Sequence, residues 1–283
     1  MFKVIVVLIS VLVIIGLLVT VSLIAGFQFN QSVKKEVKEF FSNVEDKNEI
    51  IKQADLAGLP LCVQKWLEYS QVVGTERITT VSSKQTAVMR LKEGQRWMPV
   101  AAKQYFTIDE PGFIWKARIK AAPLAYIVGR DKYYEGKGHM LIKVLSLIRV
   151  ADSKGKEIDQ GSLIRYLAEI VWFPTAALSS YITWEEIDAN SARATMSYKG
   201  VTGSGIFTFN EKGEVVNFTA ERYGEFDGEF VLATWSIPMM DYKEFNGIRV
   251  PTKGEVTWKL ATGDFNWYNF EVVDIEYNTV NSN

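Results

Sequence analysis

The side chains best placed to do chemistry are Arg165 and Glu169, which stand one helical turn apart in the stretch Gly161 to Pro174, GSLIRYLAEIVWFP. Leu163, Tyr166, Leu167, Ile170 and Phe173 make an apolar face around that helix, and Ile164 and Val171 widen it until almost no solvent face is left. A helix apolar nearly all round is a buried one, and a buried charge has to be paired. The pair is therefore either a structural clip or part of a site. Arg before Glu is the weaker orientation for an i,i+4 helix pair, which tilts the reading away from simple helix support. Asp159 and Ser162 are N-cap types and Pro174 cannot continue a helix, so the spacing predicts a helical body from Leu163 to Trp172.

Composition removes most other chemistries. A single histidine, His139, and a single cysteine, Cys62, allow neither a multi-histidine zinc site nor a disulfide framework within one chain. There is no G-x-S-x-G elbow, phosphate loop or acidic pair at motif spacing, and no cofactor is implied. A formal net charge of -1 without a basic stripe gives no case for nucleic acid. An enzyme reading would use Glu169 as acid or base, with His139, Arg165 or Glu135 assisting. A binding reading would use Trp115, Tyr134, Tyr166, Trp172 and Trp235 as apolar walls, with Arg165 or Arg118 meeting a polar head and Glu169 and His139 as further ligand-binding candidates. A third reading is a scaffold that presents a surface to a protein partner.

The elements that must hold these residues follow from periodicity. No charged residue lies between Lys3 and Lys34, and Val4 to Phe27 is almost continuously apolar. As a helix that stretch would be roughly 36 Å long, enough to cross a bilayer. Ile24-Ala25-Gly26 resembles the start of a bacterial lipobox, but Phe27 stands where the lipidated cysteine would be. The segment therefore reads as an uncleaved anchor with the domain outside the cytoplasmic membrane. Ser32 to Ala54 is amphipathic at helical spacing, and Leu59 to Tyr69 reads as a second helix with Pro60 in its first turn and Cys62 in its apolar stripe.

From about Glu76 the pattern alternates. Phe113, Trp115, Ala117, Ile119 and Ala121 share one face of a strand, opposite Lys116, Arg118 and Lys120; Val216 to Ala220 and Val256 to Leu260 repeat the pattern. Glu93-Gly94, Asp152 to Gly155, Asn210 to Gly213, Asp227-Gly228, Asn246-Gly247 and Thr262 to Asp264 supply short turns, which join antiparallel neighbours. Gly138 to Val150 is apolar on both parities and fits a strand or a short helix, with its place before a DSKG turn favouring strand. Several strands are apolar on both faces, as a curved sheet wrapped around a helix requires. The predicted architecture is α+β: a strongly curved, mostly antiparallel sheet, an incomplete barrel wrapped around helices, with an N-terminal transmembrane helix. The expected division is an anchor over residues 1–30, a juxtamembrane helix or stalk over 31–58, and an extracytoplasmic domain over 59–283.

The segments Leu59-Pro60 with Trp66-Leu67, Phe113-x-Trp115-x-Ala117, Tyr134-Glu-Gly136-x-Gly138-x-Met140 and Gly161-x-Leu163-x-Arg165-Tyr-Leu-Ala-Glu169-x-x-Trp172-x-Pro174, followed by Trp184, resemble a family of uncharacterised bacterial membrane-anchored proteins. The order of elements resembles the LolA-like lipoprotein-carrier architecture, in which a curved incomplete barrel closes over helices and leaves an apolar cavity. The family resemblance implies no catalytic residues. The architectural one implies a lipid or acyl-chain ligand in the sheet-and-helix cavity, and the membrane as the partner of the N-terminal helix.

Overall fold

The computed structural model describes residues 2–44, 49–123 and 125–279. The chain opens with α1 (Phe2–Ser42), one continuous helix of 41 residues and about 61 Å. It is long and apolar enough to cross a membrane. Every residue from 2 to 21 is exposed, whereas Ser22, Phe29, Val33, Val37, Phe40 and Phe41 are buried. That spacing of three and four is the stripe of a helix laid on a surface. No proline interrupts the sequence between the two halves, so the apolar segment and the start of the amphipathic stretch form one rod through the expected boundary at residue 30. The rest of the amphipathic stretch, expected to run to Ala54, includes residues 45–48, which lie outside the described residues. Beyond them, Gln53–Leu56 forms a 3-10 turn with Leu56 buried. The second helix, α2 (Leu61–Tyr69), begins after Pro60 and buries Cys62, Val63, Trp66 and Leu67.

Thirteen strands form one sheet, every pairing of which is antiparallel. A first meander runs through β1 (Thr80–Met89), β2 (Met98–Thr107), β3 (Gly112–Ala122), β4 (Ala125–Tyr134), β5 (Lys137–Val144) and β6 (Ile148–Ser153). A second runs through β7 (Ile182–Asp188), β8 (Ser191–Tyr198), β9 (Val201–Phe209), β10 (Val215–Phe226), β11 (Glu229–Phe245), β12 (Ile248–Leu260) and β13 (Gly263–Tyr277). The first strand of one pairs with the last of the other, β1 with β13, leaving β6 and β7 as the edges. The stretch Gly138 to Val150 is β5, a tight turn with Leu145 and Ser146 at positive φ, and the start of β6.

Between the meanders lies α3 (Lys156–Glu169), continued by the 3-10 turns Ile170–Trp172 and Pro174–Leu178. It begins a full two turns before the predicted body, because neither Asp159 nor Ser162 caps it. Asp159 instead accepts from the Gly138 backbone N–H at 2.8 Å and from Lys137 at 2.9 Å, which ties the helix to β5. Gly155, at φ 122°, is the N-cap, so the DSKG turn hands a strand to a helix and does not join two strands. The sheet curls until α3 touches β4 and β5 on one side and β8, β9 and β10 on the other. Glycine permits the approach: a Cβ on Gly138 would come within 2.5 Å of Ser162 Oγ, and one on Gly203 within 2.6 Å of Ile164.

The two faces of the sheet have different covers. On the inner face Phe106, Phe113, Tyr133, Phe207, Phe218, Trp235 and Trp258 join Tyr166, Leu167 and Trp172 of the central helix and its extension in the main core. On the outer face Ile114 and Val128, with Tyr105, Tyr126, Tyr134 and Leu141, receive the buried stripe of α1 in a second, smaller core.

Candidate functional site

The polar stripe of α3 faces the inner side of the sheet and is spent on side chains. Arg165 Nε donates to Glu169 Oε1 at 2.9 Å and its Nη1 to Asp131 Oδ2 at 2.7 Å. Glu169 Oε2 accepts from Gln104 Nε2 at 2.8 Å, and Gln104 Oε1 accepts from Gln85 Nε2 at 3.0 Å. A bonded chain thus crosses β1, β2, α3 and β4. The guanidinium also lies 4.8 Å from the Phe113 ring and 5.2 Å from the Trp115 ring, within cation–π reach. Burial opposes the Arg165 charge, but Glu169 and Asp131 outweigh it and hold the side chain firmly protonated. Burial raises the Glu169 carboxyl above the usual carboxylate range, against the pull of Arg165 and Gln104. Both Glu169 oxygens already hold hydrogen bonds, which makes this group a fastener first.

Arg222, like Asp131, Gln104 and Gln85 of the polar chain, is a residue that sequence reasoning missed. It follows Phe218 and Ala220 on the inward parity of β10 and reaches the same interior. Its guanidinium sits 4.9 Å from the Trp235 ring and 5.5 Å from the Trp258 ring, and its Nε donates to the Gly161 carbonyl at 2.9 Å. Among the described residues no carboxylate forms an ion pair with it. Asp131 and Glu169, the carboxylates that act on it, are both bonded to Arg165. Burial, reinforced by the Arg165 charge, lowers its pKa to about 10. Beside it the Trp235 indole N–H is buried without an acceptor. This wall thus holds a guanidinium that spends its Nε on a backbone carbonyl and, next to it, a buried indole N–H without an acceptor. The alternation of β10, continued from Ala220, was the available signal, since it puts an arginine on the apolar side of a strand.

Toward the edge of the sheet where the turns β1–β2, β3–β4 and β5–β6 lie, the inner face is not filled. Ala87, Met89, Met98, Trp115, Ile127, Met140, Ile142 and Val144 all point inward by register, yet each is only half-buried. Across the curl Phe226, Leu260 and Phe265 are half-buried too. These side chains make a partly exposed apolar rim, here called the mouth, with Trp115 lying over Gly129, Arg165 beside Trp115 and Arg222 beside Trp258 at its inner end. Two open surface grooves, of about 510 and 500 Å³, lie elsewhere, along β7–β9 and β8–β11.

The other anticipated site residues separate. Tyr166 and Trp172 stand behind the polar chain in packed core, with Tyr166 donating to the Thr107 carbonyl at 3.0 Å and Trp172 Nε1 to the Pro251 carbonyl at 3.0 Å. Tyr134, Arg118 and His139 are on the outer face instead. Tyr134 packs edge-on to Phe40 of α1 at 5.7 Å, Arg118 lies 3.5 Å above the Tyr126 ring, and His139 bridges Arg130 and Asp152. Glu135 is exposed in the β4–β5 turn. Buried Cys62 has its thiol pKa pushed up by burial. No group of three potential metal ligands is found among the described residues.

These features define a curled antiparallel half-barrel closed around a central helix, with an apolar mouth and two interior arginines. The chain belongs to a family of unknown function, DUF6544, whose match spans residues 49–270 and bears out the resemblance to an uncharacterised family. No significant match is found among curated proteins. Similar solved structures include a putative outer membrane lipoprotein-sorting protein domain from Vibrio parahaemolyticus, at 8% identity and TM-score 0.38 over 71% of this chain and 86% of that one. A LolA superfamily protein from Nitrosomonas europaea matches at 10% identity and TM-score 0.39 over 77% and 94%. A DUF1329 family protein from Desulfovibrio piger matches at 10% identity and TM-score 0.41 over 77% and 92%.

Proposed function

We propose that the protein is a membrane-anchored binding module of the cell envelope that holds an apolar, lipid-like ligand in the mouth of the half-barrel, with an acidic head on Arg222. The observation that carries this reading is the row of inward-pointing, half-buried apolar side chains ending at a guanidinium without a carboxylate partner. Apolar ligands are held in concave apolar sites with a few placed polar groups. A carboxylate or phosphate would take the free Arg222 donors as charge-assisted hydrogen bonds. Anchoring is supported by the continuity of α1: its exposed, apolar first half and its sheet-bound second half are one helix, so cleavage at a signal-peptide position would cut through an ordered element. The domain is placed on the extracytoplasmic side in this reading.

Native mass spectrometry of the full chain released from nanodiscs tests the reading. The expected result is a bound species whose mass fits an acidic lipid, and which is lost or reduced at least tenfold in Arg222→Met. Uniformly ligand-free protein that takes up no added fatty acid or anionic phospholipid would overturn it.

A further inference from the structure

The exposed half of α1 and the folded body meet at one place. Ser22 Oγ donates to the Leu145 carbonyl at 2.9 Å and lies 2.8 Å from the Tyr126 hydroxyl. One turn on, Gly26 faces the same turn: a Cβ there would stand in van der Waals contact, 3.4 Å from Ser146 Oγ. The β5–β6 turn is therefore fixed at the level of residue 22, where the continuously exposed segment of α1 ends. That segment, residues 2–21, is about 30 Å of helix, the thickness of a bilayer's hydrocarbon core.

The surface at this level is apolar on both elements. Leu147, Ile148 and Val150 are 36%, 61% and 56% exposed, and Leu23, Ile24 and Phe27 of α1 are 65%, 54% and 63% exposed. β6 is also an edge of the sheet. Apolar side chains on an open edge strand are an aggregation hazard in water, and no described part of the chain covers them. The groups just above them are those that suit a membrane interface: the amphipathic Tyr126 ring, Arg118 stacked on it, and Lys143 reaching over Phe29 at 6.0 Å.

We propose that the β5–β6 turn and edge strand β6 dock on the lipid bilayer itself, with Leu147, Ile148 and Val150 seated beside Leu23, Ile24 and Phe27 in the headgroup and acyl boundary. The occupant is fixed by the tether, because the helix that enters the bilayer is hydrogen-bonded to the turn that docks. One consequence rests on the binding reading above. Ile142 and Val144 lie on the strand leading into this turn, so the β5 side of the mouth is presented to lipid, and a ligand can pass between membrane and interior without crossing bulk water.

Depth-dependent quenching tests the docking. Cysteines are introduced singly into the full chain as Ile148→Cys, Leu12→Cys and Leu61→Cys. Each variant is labelled with an environment-sensitive fluorophore and reconstituted into phosphatidylcholine–phosphatidylglycerol vesicles carrying nitroxides at shallow or deep acyl positions. The buried Cys62 supplies the unlabelled background, checked on the unmodified chain. Leu61, exposed at the start of α2, is the reference away from the bilayer. The expected result is strong quenching at position 12 by deep nitroxides, and severalfold stronger quenching at 148 than at 61 by shallow ones. Equal quenching at 148 and 61, with position 12 quenched, overturns the docking while the anchor stands. Absence of quenching at position 12 overturns the spanning helix and the docking with it. The ligand reading fails separately, because none of these signals requires a bound ligand.

Discussion

The two faces of β3, β4 and β5 solve the same electrostatic problem in different ways. On the outer face Arg130, almost fully buried, contacts Glu36 of α1 at 3.5 Å and donates to His139 Nδ1 at 3.1 Å, and α1 seals the surface over them. On the inner face Arg165 has two carboxylates and, among the described residues, Arg222 has no ion pair, and the apolar residues beside them stay half-buried. The outer face is covered where α1 lies on it, and there Arg130 is paired while Arg118 stacks on Tyr126 and Lys116 stands beside Lys103 and Lys34. The inner face is covered over one half only, and the difference between the faces is the row of half-buried apolar side chains that the proposed ligand would cover.

The sharpest break of the comparison is Arg165→Met, which strands Asp131 and Glu169 without their cation. Removing one partner of a buried pair costs about 3–5 kcal/mol, and urea denaturation of the detergent-solubilised chain should show a loss of that size. Phe40→Ala attacks the other face: its ring stacks on Phe41 and packs edge-on to Tyr134. A buried aromatic truncation costs about 3 kcal/mol. Limited proteolysis should then release α1 from the sheet while ligand mass is retained, and if ligand is lost as well the two faces are not independent. Gly138→Ala forces a methyl group against Ser162 and the Ile158 carbonyl, so overpacking should cost about 2 kcal/mol, read as a lower denaturation midpoint. Arg222→Met should be tolerated or stabilising by about 1 kcal/mol, because it removes a charge without a carboxylate partner. A loss comparable to that of Arg165→Met would make Arg222 a second fastener and erase the contrast.

The smallest effect is on the outer face. Burial lowers the His139 pKa below its ordinary 6.5, although Asp152 pulls the other way. The folded state therefore takes up its proton later than the unfolded state, and stability is lost as pH falls from 6.5 through the folded pKa. The single histidine gives one ring resonance, so an NMR titration reads the midpoint directly. A midpoint above 6.5 would contradict the assignment.

Much of this arrangement was legible in residue pattern. Alternation in Phe113 to Ala121 and the NEKG, DG and NG turns gave the antiparallel meander, and the all-round apolar character of Leu163 to Phe173 gave the central helix. The start of α3 was misplaced because Asp159 has the chemistry of a cap but is used to hold β5. The separation of Trp115 and Arg165 from Tyr134, Arg118 and His139 could not be read without register. In β3 the parity did place Arg118 opposite Trp115, but nothing local says that a distant helix covers that side. Asp131, Gln104 and Arg222 were legible only as polar residues on apolar parities, a signal that becomes informative once the curl is known.

The pairing of β1 with β13 carries a consequence for the order of events during folding. The seam at the middle of the sheet joins residues 81–89 to residues 268–277, and Asn278 locks it by accepting from the Thr79 N–H at 2.8 Å and donating to the Arg77 carbonyl at 3.1 Å. Each meander is built from local hairpins and can form as it emerges, but the inner face cannot close until the last strand has been synthesised. Until then the first meander, with α1 already packed on its outer face, waits with its apolar inner face open, so closure of that face is the last step of folding.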